Sequence, residues 1–239
     1  MANRINQIGR GGFGRIDSIV LPNGNQVARK TFDPSPEVLP HININKFKNR
    51  FLREIKVLET LPRSHFLPIL GEEVEVDEPW FMMPIAEASL SKGVGNWKRV
   101  LVDVLDGLEL LHRAGYVHRD LNPDNVVFHE GKWKLIDFGI VLAMGESVPQ
   151  LRFPGPAWGT KGYSSLEQVT SFNGVTIAAD IYSFGCLLHD YISSNPREPF
   201  QQHSADGTLG RIVQRCTNGN PYQRYDSIKS LRKELYREL

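Results

Sequence analysis

The apolar residues of this chain change their period part-way along it, and that change limits the fold more than any other feature. Over roughly the first thirty residues Ile16, Ile19, Val20 and Val27 sit among glycine and asparagine punctuation, with a turn at "LPNGN". This pattern predicts an antiparallel series of short strands. Residues 33–40 carry Pro34, Pro36 and Pro40 and read as a loop. "KFKNRFLREIKVLETL" then places Phe47, Phe51, Ile55 and Leu58 at helical spacing, and "ILGEEVEV" and "WFMMPI" read as two more strands. After "EASLSKGVG" the pattern becomes helical, beginning with "WKRVLVDVLDGLELLHRAG", which Gly115 should end. The expectation is an α+β fold in a single domain over residues 1–239. A small antiparallel sheet lobe with one helix (1–86) joins through a linker (87–95) to a larger helical lobe (96–239). A cleft between two such lobes is a natural ligand site.

Composition narrows the function classes. With 23% charged residues and a formal net charge of +1, the chain lacks the imbalance of a nucleic-acid binder. The apolar run at 80–86 is too short to span a bilayer, and "MANRINQIGRGGFG" has no apolar signal core. Cys186 and Cys216 lack metal-ligand spacing and read as buried reduced thiols. The expectation is a cytoplasmic protein without nucleic-acid or membrane partners.

Three stretches carry chemistry. "IGRGGFGRI" sets Gly9, Gly11 and Gly14 in G-x-G-x-x-G spacing, with Arg10, Gly12 and Phe13 between them. Such a turn lets backbone N–H groups approach phosphate oxygens, but it equally suits a plain hairpin. It bridges two strands with no helix after it, which excludes the dinucleotide-binding version. "VARK" follows, and Lys30 two strands on can reach beneath the turn, where Glu54 of the helix can hold it. The second stretch, "VHRDLNPDNVVF", carries Asp120 and Asn125; the third, "WKLIDFG", ends in Asp137, Phe138 and Gly139. A hairpin through "HEGK" would bring Asn125 and Asp137 together, two hard oxygen ligands suited to Mg²⁺.

In this order the motifs resemble those of eukaryotic-type protein kinase domains of the Ser/Thr branch. "GTKGYSSLE" is similar to the family's G-T-x-x-Y-x-A-P-E, "DIYSFGCLL" to its D-x-Y-S-x-G helix, and "NPYQRYDS" supplies Arg224 as partner for Glu167. The resemblance implies a Mg²⁺- and ATP-dependent transferase acting on a Ser/Thr hydroxyl of a protein substrate. It implies that the glycine turn covers the ATP phosphates, that Lys30 held by Glu54 contacts them, and that Asn125 and Asp137 ligate the metal. Asp120 would take or orient the hydroxyl proton. Ile8, Ile16, Ala28 and Val127 would enclose the adenine, with Met83 as gatekeeper and Pro84, Ile85 and Ala86 as the hinge. Leu58, His118 and Phe138 would stack as an apolar spine, and Asp180 would brace the catalytic loop.

Two departures from the family bear on activity. Asn122 stands where the Ser/Thr branch has a lysine on the γ-phosphate, a loss of about 1–3 kcal/mol of transition-state stabilisation. Asn122 can instead bond a phosphate oxygen or Thr160. Between Gly139 and Gly159 the only hydroxyl is Ser147, so packing of Phe153, Pro156 and Trp158 is expected to order that segment. The alternatives are a nucleotide-binding pseudokinase, which Asn122 alone favours, and a small-molecule phosphotransferase, against which Arg119, Thr160 and Glu167 argue.

Overall fold

A computed structural model describes residues 3–11, 14–36, 39, 43–93, 96–145, 159–170 and 175–239. Gly12, Phe13, Ser147, Phe153, Pro156 and Trp158 lie outside the described residues. Three strands open the chain, β1 (Asn3–Gly11), β2 (Gly14–Val20) and β3 (Gln26–Phe32), and Gly24 at φ 85° closes the second hairpin. The helix α1 (Ile44–Thr60) starts at Asn43, whose side chain accepts the Lys46 N–H at 3.1 Å. After it come β4 (Gly71–Glu73) and β5 (Trp80–Pro84), giving the sheet order β1-β2-β3-β5-β4. β4 is shorter than "ILGEEVEV" promised. The residues beyond Glu73 include Glu75, Asp77 and Glu78, side chains that strands disfavour.

The buried stripe of α1 holds Phe47, Phe51, Ile55 and Leu58, as the spacing predicts, and Glu54 lies on the same stripe. Phe51 packs between Phe32 of β3 (ring centres 5.8 Å apart) and Phe81 of β5 (5.6 Å). These aromatic contacts dock the helix on the sheet and turn Glu54 inward with them.

The expected linker is itself ordered at its start. β6 (Ala88–Ser89) pairs with Phe128 and Val127 of β8 (Val126–His129), and β8 pairs with β9 (Lys132–Leu135) in a hairpin. The linker is thereby the third strand of the sheet that carries the catalytic loop. α2 (Trp97–Arg113) buries Val100, Leu101, Val104, Leu105, Leu108 and Leu111, and ends at Gly115, φ 86°. Short strands β7 (Tyr116–Val117) and β10 (Leu142–Ala143) pair beside it. Among the last helices, α3 (Leu166–Thr170), α4 (Ile177–Ile192), α5 (Gly207–Cys216) and α6 (Ile228–Leu235), α4 is buried from Ala178 to His189. A helix apolar nearly all round belongs at the centre of a core, and its few polar side chains must all find partners there. Cys186 and Cys216 are buried and free. Among the described residues no helix is long and apolar enough to cross a membrane.

Candidate active site

The hairpin β8–β9 turns through Glu130 (φ 50°) and Gly131 (φ 74°), two positive-φ residues whose twist suits a two-residue hairpin. That turn sets the register Val126↔Leu135, and the Ile136 N–H donates to Asn125 O at 3.0 Å. Asn125 and Asp137 are thus held side by side at the open end of the hairpin. Asp137 is itself left-handed (φ 63°), and the Gly139 N–H donates to its Oδ1 at 3.3 Å.

Lys30 on β3 is buried, not the solvated lysine that strands usually carry. Its Nζ donates to both carboxylate oxygens of Glu54 at 2.8 Å and to Asp137 Oδ1 at 3.0 Å. One ammonium therefore ties helix, sheet and hairpin together. Burial works against its charge, but Asp137 and Glu54 outweigh burial and hold it well above the usual lysine range. Burial likewise opposes the charge on Asp137; Lys30 wins and keeps that carboxyl below its usual range. Glu54 goes the other way, because burial exceeds the help from Lys30 and raises it. The Phe138 N–H adds a bond to Glu54 Oε1 at 3.3 Å.

The catalytic loop is built on Asp180 of α4. Its carboxylate accepts the His118 N–H at 2.9 Å, the Arg119 N–H at 2.8 Å and His112 Nε2–H at 2.8 Å. These bonds hold Arg119 at φ 71°, a conformation a non-glycine residue adopts only when its surroundings impose it. His118 Nε2–H donates to Ile136 O at 3.1 Å, so its Nδ1 is left to accept the Asp120 N–H at 3.3 Å. The His118 ring lies 5.0 Å from that of Phe138, and Leu58 and Phe138 line one cavity. Phe66 also packs against Phe138, ring centres 5.7 Å apart and tilted by 60°, a contact with no sequence signal of its own.

Around Asp120 the side chains close a small network. Thr160 donates its N–H (2.8 Å) and its hydroxyl (2.9 Å) to Asp120 Oδ1. Asn122 Nδ2 reaches Thr160 Oγ1 at 2.8 Å, Asp120 O at 3.0 Å and Asp120 Oδ1 at 3.1 Å. Its Oδ1 accepts the Asp124 N–H at 2.9 Å and so caps the short helical turn at Pro123–Asn125. Asn122 is 2% exposed and fully engaged. Asn125 Nδ2 donates to Asp120 O (2.8 Å) and Oδ2 (3.0 Å), which aims its own Oδ1 elsewhere. Burial first, then the charge of Asp137, raises the Asp120 carboxyl above its usual range despite the Thr160 bonds.

Beyond this network, Arg224 is clamped by Glu167 (Nη1 to Oε1 2.5 Å, Nη2 to Oε2 3.1 Å), the expected pair. Asp190 holds the stretch after Thr160 from α4: it accepts from Tyr163 Oη at 2.7 Å and from Arg197 at 2.6 and 2.9 Å.

Lys30, Glu54, Asn125, Asp137 and Phe138 line a cavity of about 450 Å³, and Asp120, Asn122 and Thr160 are not among its walls. Of the expected nucleotide residues, Ile8, Gly9, Arg10, Gly11, Ile16, Lys30 and Met83 form its walls together with Asn125 and Asp137. Ala28 and Val127 are buried without being among the walls, and neither Ile85 nor Ala86 is among them. Gly14 serves packing rather than the cavity: a Cβ there would collide with Thr31 O of β3. Leu67, Phe81, Asp124, Leu135 and Ile136 are walls that the motifs passed over. Phe81 had a signal, since it lies two residues before Met83 on one strand and so shares its face.

The cavity fits a metal-bound nucleotide. Its walls include the apolar Ile8, Ile16 and Met83 together with Lys30, Asn125 and Asp137. Among the described residues no cluster of three His, Cys, Asp or Glu side chains could hold a metal alone. Two oxygen ligands suit a hard cation that completes its sphere with phosphate and water.

Comparison with known proteins gives a family-wide match: the model of the protein kinase domain covers residues 2–238. The chain belongs to the protein kinase domain family. Among its curated relatives, the probable serine/threonine-protein kinase PkwA of Thermomonospora curvata is 28% identical over 97% of this chain and 30% of its own length. The probable serine/threonine-protein kinase SCO3848 of Streptomyces coelicolor is 32% identical over 79% of this chain and 29% of its own. The DNA damage-responsive serine/threonine-protein kinase RqkA of Deinococcus radiodurans is 32% identical over 70% of this chain and 26% of its own. This kinase domain therefore spans less than a third of each of these relatives.

Proposed function

We propose that this chain is an active catalytic domain of a protein serine/threonine kinase that uses Mg²⁺ and ATP. The observation that carries the reading is the set of bonds from Lys30 to Glu54 and Asp137 in a cavity whose wall residue Asn125 is bonded to Asp120, which Thr160 also holds. Lys30 would bind the phosphates, and the glycine turn over them would exclude water. Asn125 and Asp137 would hold the metal, which when bound offsets phosphate charge. Asp120 would orient the substrate hydroxyl and take its proton as the oxygen bonds to the γ-phosphorus and the bond to ADP breaks. Its raised affinity for a proton suits that task. Thr160, bonded to Asp120, would set the edge where a peptide presents its Ser or Thr. Ala28, Val127, Ile85 and Ala86 would line the adenine once the lobes close on nucleotide. The proposed unit is one domain over residues 1–239. The proposed compartment is the cytoplasm, where ATP and reduced thiols such as Cys186 and Cys216 coexist.

The test is phosphoryl transfer from labelled ATP with Mg²⁺, to the protein itself and to a generic protein acceptor. Wild type should transfer label to Ser or Thr, and Asp120→Asn should abolish transfer. ATP binding without transfer under any condition would overturn the reading in favour of a scaffold.

A further inference from the structure

The short stretch that carries Thr160 is held at its two ends by different parts of the fold. On one side Thr160 donates its N–H and its hydroxyl to Asp120. On the other, Ser183 of α4 donates to Tyr163 O at 2.8 Å. Between them Lys161 is exposed, and Gly162 has φ 95° with open space where a Cβ would stand. A glycine so placed does little to fix its own peptide plane. That plane matters, because the Gly162 carbonyl and the Tyr163 N–H belong to one trans peptide and point opposite ways. The Tyr163 N–H closes the turn on Thr160 O at 3.0 Å, and the Ser164 N–H reaches the same oxygen at 3.2 Å.

Among the described residues one side chain holds the Gly162 carbonyl, that of Arg197, whose Nη1 donates to it. Arg197 lies in the connection between α4 and α5, yet its side chain is only 9% exposed. Its Nε and Nη2 donate to Asp190 Oδ1 at 2.6 Å and Oδ2 at 2.9 Å. The guanidinium also lies 4.5 Å over the Tyr163 ring, whose hydroxyl donates to the same Asp190. Burial works against the charge of Arg197, but Asp190 outweighs burial and holds it above the usual arginine range. The connection is itself tied to α4. The Ser193 N–H donates to His189 O at 2.9 Å, and Tyr182 Oη donates to Gln201 O at 2.7 Å. One planar group therefore joins a carboxylate fixed on α4 to the carbonyl of the turn.

Resting on the kinase reading, we propose that Arg197 is a positioning residue for the protein substrate: it fixes the Gly162 carbonyl, and with it the turn on which Thr160 meets the acceptor peptide. Without Arg197 the turn samples other arrangements, and only the fraction in the present one accepts a peptide. The apparent affinity for the acceptor falls by that fraction. An acceptor bound to the correct turn then reacts at the normal rate. ATP is indifferent, because neither Gly162 nor Arg197 is among the walls of its cavity.

The experiment measures kcat, KM for dephosphorylated casein, KM for ATP, melting temperature and amide hydrogen exchange in wild type, Arg197→Lys and Arg197→Ala. Arg197→Lys keeps a cation for Asp190, but an ammonium cannot span both carboxylate oxygens and Gly162 O in one plane. It should melt near wild type and yet raise KM for casein about tenfold, the size of one lost charge-assisted contact. Its kcat and its KM for ATP should change less than about twofold. The Tyr163 and Ser164 amides should exchange about tenfold faster, while those of His118 and Arg119, held by Asp180, exchange as in wild type. Arg197→Ala should show the same split with a lower melting temperature. An unchanged KM for casein in both variants, equal losses for casein and ATP, or wild-type exchange at Tyr163 and Ser164 would overturn the proposal and make Arg197 a strut. Exchange needs no transfer. A wild type that labels no acceptor would refute the kinase reading alone, while exchange at Tyr163 and Ser164 would still show whether Arg197 fixes the turn.

Discussion

Replacing Asn122 with aspartate would test how the catalytic loop holds its base. The substitution is isosteric and keeps Oδ1, so the cap on the Asp124 N–H at 2.9 Å survives. It replaces Nδ2, which lies 3.1 Å from Asp120 Oδ1, with an oxygen. Two carboxylates would then meet in a nearly closed site, since Asn122 is 2% exposed. With the two carboxylate charges centred about 4 Å apart, their repulsion is about 4 kcal/mol at the effective dielectric that suits protein sites. That equals roughly 3 pKa units, so the pair would share a proton at neutral pH. Asp120, already raised by burial, would then be protonated where it must accept a proton. Phosphoryl transfer at pH 7 should fall about 100-fold or more, and the acid limb of the pH–rate profile should move up by roughly 2–3 units. Stability follows the same sign. A carboxyl whose folded pKa is raised above its unfolded value is destabilising once pH exceeds the unfolded value. The deficit against wild type should therefore be absent at about pH 4 and grow to its full size above the raised value. Asn122→Ala is the control: it loses the cap and the donors without adding charge, and should cost about 1–2 kcal/mol with little pH dependence. The measurements are transfer rates and urea midpoints from pH 4 to 9. An Asn122→Asp profile that superimposes on wild type, or that matches Asn122→Ala at every pH, would refute the reasoning.

Glu167→Ala should cost about 3–5 kcal/mol by urea unfolding, because Arg224, only 1% exposed, would keep its charge and lose its carboxylate. The double variant with Arg224→Met should lose clearly less than the sum of the two single variants. Gly14→Ala should cost about 1–3 kcal/mol, since its Cβ meets Thr31 O, a backbone atom that cannot swing aside. Gly11→Ala, whose Cβ meets no described atom, should melt within about 2 °C of wild type. Asp180 is held below the usual carboxylate range because its bonds to His112 and to the Arg119 N–H outweigh burial. Its contribution is complete above the unfolded value near pH 4 and is lost as pH falls through the lower folded value. Asp180→Asn should cost about 3 kcal/mol at pH 7 and noticeably less at pH 3, in circular dichroism melts at both.

What was legible in the sequence was legible because it is local. The Glu130–Gly131 turn selects a two-residue hairpin, and the hairpin alone makes neighbours of Asn125 and Asp137. The stripe from Phe47 to Leu58 turns Glu54 inward whatever the helix packs against. Gly115 ends α2 through its own backbone freedom. Even the pairings of Lys30 with Glu54 and Glu167 with Arg224 could be read, since the order of motifs names the partners.

Contacts between distant segments left no such trace. Nothing in "FDPSP" marks Asp33 as the acid that two arginines share, and nothing in "HDYIS" shows that Asp190 will hold Arg197 and Tyr163. The linker looked like a plain connection, yet Ala88 and Ser89 zip onto β8, because a strand edge with unpaired donors takes whatever extended backbone passes it. The sequence by itself determined the first three strands, the helices α1 and α2 and most of the charged residues that meet at the cavity, since periodicity and turn chemistry act over a few residues. Only the tertiary structure decided which charges are shared and which are buried. Those properties depend on the distance between groups far apart in the chain and on how much water lies between them, and both are set when the segments pack.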